Sequence, residues 1–209
     1  MDRNNIDKKY QWDLSKIYGS IDDFKLDIDK VSNKLGVFSK YEGIFYDENS
    51  LYELVSAVRK EYKGFLIVKL TPNVTSIEKL GIAAEKAGAN AISAINTLKG
   101  TSIKITTING KIYKEIMQGG YSGCGVKPVA VGAVCRLYKA VNIPIIGMGG
   151  IETLDDVLEF LAAGAEAVQI GTANFTHPEI AEKLVDELNE YIIKNGFKNL
   201  DELKIELRK

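Results

Sequence analysis

The sequence predicts an α/β protein: a TIM-barrel-type (β/α) half-barrel of four parallel strands with a β-hairpin insertion, preceded by a short α-helical segment. Three observations predict it. Two apolar runs, IPIIGMGG over Ile143–Gly150 and AVQIGTAN over Ala167–Asn174, break into glycine where a parallel strand should end, with a helical stretch between them. A helix-ending turn recurs as Ala87-Gly88-Ala89 and Ala163-Gly164-Ala165, each time feeding a buried strand. The composition also shifts near Gly64, from charged and aromatic without β/α rhythm to strands and helices rich in Gly, Ala, Ile and Val. That shift divides the chain into a helical segment, 1–63, and a half-barrel, 64–209. A whole eight-stranded barrel takes roughly 250 residues, which 64–209 cannot supply.

Each element has a local reason. Phe24, Ile28, Val31, Leu35 and Phe38 recur at helical spacing, with Ser20 and Asp23 placed as a capping box. Leu51, Leu54, Val55, Val58 and Tyr62 form a second stripe, capped by Ser50 with Glu53 and stopped by Gly64. Phe65–Leu70 reads as a buried parallel strand, interrupted only by Lys69. Thr75 and Glu78 cap the helix that ends at Gly88, and Ala91–Ile95 is the next strand. Asn109-Gly110 between Ile103–Thr107 and Lys111–Tyr113 signals a hairpin. Gly119–Gly125 is a glycine-rich loop before a helix over Lys127–Ala140, with Pro128 suited to its first turn. Ile143–Gly147, a helix over Glu152–Ala163, Ala167–Ile170, a long helix over Pro178–Ile193 and a short one after Asn199 complete the order.

The 209 residues are 45% hydrophobic, enough for a sizeable core. Net charge is −1 with both signs interspersed, which points away from nucleic acid and from membrane surfaces. No apolar run is long enough to span a bilayer, and the polar start has no signal-peptide core. Cys124 and Cys135 stand in neither metal nor disulfide spacing, so a reduced cytoplasmic setting is expected. With one histidine, His177, no histidine-based metal site is expected; His177 before Pro178 reads as a helix-start residue.

Backbone N–H groups at a glycine-ended strand, beside a helix N-terminus, form an anion cradle. The loops after the last two strands of such barrels commonly bind phosphate. Gly149-Gly150 and Gly171-Thr172 are therefore phosphate-site candidates, against the plainer reading of tight turns. Lys69, a charge in a buried run, calls for an anionic or polar partner. Asn96-Thr97 and Ser122-Gly123 lie where ligand contacts occur, although such residues also serve as turn groups.

Five blocks in order, VKLTPNVT, INTLKG, GGYSGCGVKPVA, IPIIGMGGI and VQIGTANF, resemble the C-terminal half of dihydroorotate dehydrogenases, in particular the NAD-linked class 1B catalytic subunit. The likeness runs from about residues 51–60 to the end. It implies an FMN-dependent barrel that oxidises dihydroorotate to orotate in pyrimidine biosynthesis. By position, it implies Lys69 at the flavin pyrimidine edge and Ser122 and Gly123 at the ribityl side. Gly149, Gly150, Gly171 and Thr172 would take the FMN phosphate, and Asn96 and Thr97 the substrate. It also implies an FAD and iron–sulfur partner subunit. The family's catalytic base, a cysteine in a Ser-Cys-Pro-Asn type motif, has no counterpart here, so no catalytic residue is assigned and turnover by this chain alone is expected to be impaired. Two alternatives stand beside that reading: a non-catalytic half-barrel or chimera that binds FMN or phosphate, and a related dihydropyrimidine-type flavin dehydrogenase. The open strand edges of a half-barrel lead us to expect a homo-oligomer. The first 50 residues resemble something else: YQWDLSKIYGSIDDF and FSKYEG are similar to the start of oligoendopeptidase F. The zinc motif of that peptidase is absent, so its activity does not carry over.

Overall fold

The computed structural model describes residues 19–32 and 46–209. The chain divides into two compact units, Met1–Gly43 and Ile44–Lys209. In the first, helix α1 (Ile21–Ser32) begins where the Asp23 N–H donates to Ser20 Oγ at 3.1 Å, the cap its sequence suggests. Phe24 and Ile28 of the expected stripe are each nearly half exposed, and Leu35 and Phe38 lie outside the described residues.

The second unit opens with α2 (Glu48–Glu61), capped by Asp47 accepting from the Ser50 N–H, one turn earlier than Ser50 itself would cap. Then come β1 (Ile67–Leu70), α3 (Ile77–Lys86), β2 (Ala91–Ala94) and a hairpin, β3 (Leu98–Ile108) and β4 (Lys111–Tyr121). They are followed by α4 (Lys127–Ala140), β5 (Ile145–Met148), α5 (Leu154–Ala162), β6 (Ala167–Gln169), α6 (Ile180–Lys194) and α7 (Leu200–Leu207). The four short strands form one parallel sheet in the order β1-β2-β5-β6, as the β/α alternation predicts, and the hairpin stands as its own antiparallel pair.

Three expectations change. Helix α2, grouped by sequence with the N-terminal segment, packs into the sheet unit through Leu51 and Val55, both buried. Its Val58 and Tyr62 stay exposed, so only the first half of the stripe is core. Helix α3 is capped by Ser76 and not Thr75, with Ser76 Oγ accepting from Lys79 N. The hairpin is far longer than its turn signal indicated, because pairing continues through the glycines down to Leu98 opposite Tyr121.

The sheet is covered on one face. Val68, Leu70, Ile92, Ala94 and Ile145 are buried, in one cluster with Leu80, Val134, Leu137 and Phe160 of the helices. Gly147 allows this packing: a Cβ there would overlap the Phe160 ring. On the opposite face Ile67, Lys69, Ala167 and Gln169 are exposed. Lys69 therefore does not sit in a run buried on both sides. It alternates with buried Val68 and Leu70 on a strand whose second face is open, so its charge is hydrated and needs no buried partner.

Candidate functional site

All four strands point their C-terminal ends to one side of the sheet, and a cavity of about 430 Å³ opens there. Lys69 reaches it from β1. Asn96 and Thr97 follow β2, and Ser122 and Gly123 follow the hairpin. Gly149 and Gly150 follow β5, and Gly171 and Thr172 follow β6. All nine residues singled out in the sequence line this one cavity. Its size falls within the range of small-molecule sites.

Gly149 and Gly150 are close-approach positions. Gly150 has φ +79°, and a Cβ on it would lie 2.9 Å from the Gly123 carbonyl oxygen and 3.0 Å from Lys127 N. The loop after β5 is thus pressed against the turn that starts α4. Gly123 has φ +89°, and a Cβ there would make only ordinary contact, 3.8 Å, with Thr172. Three glycine-containing loops meet at one corner, two of them leading into helical turns. That is the arrangement in which main-chain N–H groups receive an anion.

Ion pairing behind this corner fixes the loops. Lys127 Nζ lies 2.6 Å from Asp156 Oδ1 and 2.8 Å from Glu159 Oε2. Asp156 Oδ2 accepts from Glu152 N and Thr153 N at 2.9 and 2.8 Å, and Thr153 and Asp156 complete a capping box on α5. Burial alone would push the Asp156 carboxyl up. The hydrogen bonds from Lys127, Glu152 and Thr153 outweigh it and hold the group below the usual carboxylate range. Lys127 is held above the ordinary lysine value by the bonds to Asp156 and Glu159.

At the other corner, Asn73 orders the Asn96-Thr97 segment. Its Nδ2 donates to the Thr97 carbonyl and its Oδ1 accepts from Lys99 N, both at 2.9 Å. Asn96 Oδ1 accepts from Thr97 N at 2.8 Å, which leaves its amide NH₂ as the group able to face a ligand. Asn73 lay within the VKLTPNVT block without being singled out. The cavity is also lined by Ile95, Tyr121, Val126, Met148, Gln169 and Ile170, which the sequence reading did not name. For Met148 and Gln169 a signal existed: period-2 alternation along β5 and β6 puts both on the open face, where Ser93 Oγ donates to Gln169 Oε1 at 3.2 Å. For Tyr121 no local signal existed, since its position depends on hairpin pairing extending to the sheet end.

A family model described as dihydroorotate dehydrogenase matches residues 41–192. The chain belongs to the dihydroorotate dehydrogenase family. The match begins near the contact boundary at Gly43 and takes in α2, in keeping with the packing of that helix on the sheet unit. Similar curated proteins carry the name dihydroorotate dehydrogenase B (NAD(+)), catalytic subunit. The one from Bacteroides fragilis is 48% identical over 151 residues, covering 72% of this chain and 49% of that protein. The one from Geotalea uraniireducens is 44% identical over 166 residues, covering 78% and 54%. The one from Caldicellulosiruptor saccharolyticus is 40% identical over 203 residues, covering 96% and 65%, so that likeness runs well into the first 50 residues. The chain spans about half to two thirds of the length of these members of the dihydroorotate dehydrogenase family. The peptidase-like stretches fall mostly outside the described residues. Among the described residues no helix is long and apolar enough to cross a membrane.

Proposed function

We propose that the cavity binds FMN and that the chain is a dihydroorotate-oxidising flavoprotein of pyrimidine biosynthesis in ancestry, with impaired turnover when alone. One observation carries the reading: in a chain of this family, nine residues from five separate segments converge on one cavity at the C-terminal strand ends. The residues present fit a phosphate-bearing flavin. Gly150 lets the loop after β5 close against the Gly123 turn, the Gly123, Gly150 and Gly171 loops all line the cavity, and Lys69 brings a cation to it. When bound, the flavin supplies the two-electron acceptor for oxidation of a dihydropyrimidine ring.

The chain's own contribution is placement. Asn96, accepting from the N–H of Thr97, whose carbonyl Asn73 holds in turn, offers amide donors to a ring carboxylate or carbonyl. Lys69 Nζ opposes negative charge that develops on the ligand. The step lacking a residue is removal of the C5 proton. Cys124 is exposed on the turn before α4 and does not line the cavity, and Cys135 lies within α4. General-base assistance contributes typically about 10²–10⁴-fold, so its loss alone predicts slow turnover. The two free cysteines go with a cytoplasmic setting.

A second reading, a flavin- or phosphate-binding half-barrel without turnover, is favoured by the open sheet face and by β1 and β6, each paired on one side only among the described residues. The same edges support a homo-oligomer in which another copy adds strands. An FAD and iron–sulfur subunit as electron acceptor is in keeping with the relatives' name, which makes theirs a catalytic subunit. The third reading, a dihydropyrimidine dehydrogenase-like activity, differs only in the substrate that Asn96 and Thr97 receive. Anaerobic mixing of the FMN-loaded chain with dihydroorotate, and separately with dihydrouracil, distinguishes these. The expected result is retained flavin with bleaching at least about 100-fold slower than an intact family enzyme. Fast bleaching by dihydroorotate that Lys69→Ala abolishes would overturn the impaired reading, and fast bleaching by dihydrouracil alone would favour the third.

A further inference from the structure

The ion pair behind the glycine corner has a feature that helix capping does not require. The Thr153–Asp156 capping box on α5 is complete by itself, yet Asp156 Oδ1 is occupied by Lys127, which comes from α4, 29 residues earlier in the chain. Asp156 is nearly buried and Lys127 is about three-quarters covered. A single carboxylate thus shapes the loop after β5 through Glu152 N and Thr153 N and simultaneously anchors the first turn of α4. The two segments it joins are the ones that meet at Gly150, whose missing Cβ leaves room for the Gly123 carbonyl and the Lys127 backbone.

Lys127 is the cation nearest these loops in sequence and would be the obvious phosphate ligand. The geometry excludes it from that role. Its ammonium is engaged by two carboxylates at 2.6 and 2.8 Å, and it does not line the cavity. We infer that Lys127 and Asp156 form a positioning clamp: they hold the Ser122-Gly123 turn and the Gly149-Gly150 loop at the separation at which main-chain N–H groups can receive a phosphate, without touching the ligand. This inference rests on the FMN reading of the cavity and adds the device that pre-organises it. Pre-organised donors lose less on binding than donors that must be brought together. Removing the clamp therefore weakens the ligand although no ligand contact is lost.

The test is a set of FMN fluorescence-quenching titrations on the full 209-residue chain, each paired with a thermal melt without ligand. The variants are Lys127→Met, Asp156→Asn, the double variant, the milder Lys127→Gln, and Lys204→Met as control. Lys204 makes a comparably covered ion pair, 2.6 Å from Glu166 Oε2, before β6 and away from the cavity. The clamp predicts FMN affinity at least about tenfold weaker for Lys127→Met, an intermediate loss for Lys127→Gln, and affinity within about twofold of wild type for Lys204→Met even where its melting temperature falls as far. The double variant binds no more weakly than Asp156→Asn, because the lysine acts only through the aspartate. Additive losses would mean that Lys127 contacts the ligand directly, and wild-type affinity in Lys127→Met and Lys127→Gln would mean that the pair only stabilises the fold. Either result overturns the clamp while leaving the FMN site standing. Absence of FMN binding by the wild-type chain overturns the cofactor reading and the clamp with it.

Discussion

The two ends of the parallel sheet are built from opposite materials. At the N-terminal end, long charged side chains tie strand starts to helix ends. Arg59 donates to the carbonyls of Gly88, Tyr62 and Gly64 and to Asn90 Oδ1, and Asn90 Oδ1 also accepts from the β1 approach at Leu66 N. Glu85 accepts from Asn142 N ahead of β5. Before β6, Glu166 is held by Lys204 and Arg208, and Arg208 also donates to the Leu161 and Ala165 carbonyls. At the C-terminal end β5 and β6 run out into glycines, β1 and β2 into short polar turns, and a cavity remains. One end satisfies its backbone with side chains. The other also uses side chains, but short ones, Asn73 and Asp156 among them, with the Lys127–Asp156 pair joining two of its loops behind the cavity. On the proposed function, holding the fold is the work of the first end and binding the work of the second.

Substitutions can break that division or sharpen it. The largest effect is expected midway, where both ends share the same packing. Phe160→Ala removes the ring seated on Gly147 and should cost about 3–5 kcal/mol of stability, read by urea unfolding. Its loss should lower stability and ligand binding together. Next, Gly171→Asp should act on the cavity end alone. A Cβ at Gly171 meets nothing within 4 Å, so the substitution adds a carboxylate to the cavity rim without a clash. An FMN titration should show affinity weaker by about 100-fold, roughly 2.7 kcal/mol, with little change in melting temperature. Gly149→Asp is a poorer probe, because its Cβ would face Ala130, Ile95 and Val126 and would bury the charge.

Arg59→Ala should act on the opposite end alone. It removes donors to three carbonyls and one amide oxygen and should cost about 1–3 kcal/mol, with FMN affinity within about twofold of wild type. The smallest effect is expected from acid, and it touches both ends. Glu166 is held below its ordinary value by Lys204, against the opposing effect of burial, and with help from Arg208; Asp156 is also held low. A carboxyl depressed in the folded state contributes stability that is present above its unfolded value, about 4, and is lost as pH falls through the folded value. Melting temperature should therefore be flat from neutral pH to about 5 and fall below about 4, less steeply in Glu166→Gln.

The order of strands and the corner of the cavity were legible because they depend on local chemistry. Glycine after an apolar run marks a strand end, and Ala-Gly-Ala marks the turn into the next strand, wherever the rest of the chain lies. What escaped was set by tertiary context. Lys69 looked buried because a run of apolar residues normally implies two covered faces, whereas this sheet has one. Helix α2 looked separate because its sequence resembles the charged segment before it more than the glycine-rich repeat after it, and only the packing of Leu51 and Val55 assigns it to the sheet. Tyr121 joined the cavity through pairing register, which sequence periodicity alone does not fix. The Asp156 clamp joins segments 29 residues apart and leaves no local trace.

If the glycine-ended side of the sheet is a flavin-phosphate site, the phosphate itself must carry much of the affinity. A fluorescence titration of the purified chain with FMN and, in parallel, with riboflavin, which lacks the phosphate, addresses this directly. The expected result is saturable quenching by FMN, relieved by excess inorganic phosphate, and binding of riboflavin at least about tenfold weaker. Equal affinity for the two flavins, or no quenching by either, would contradict it.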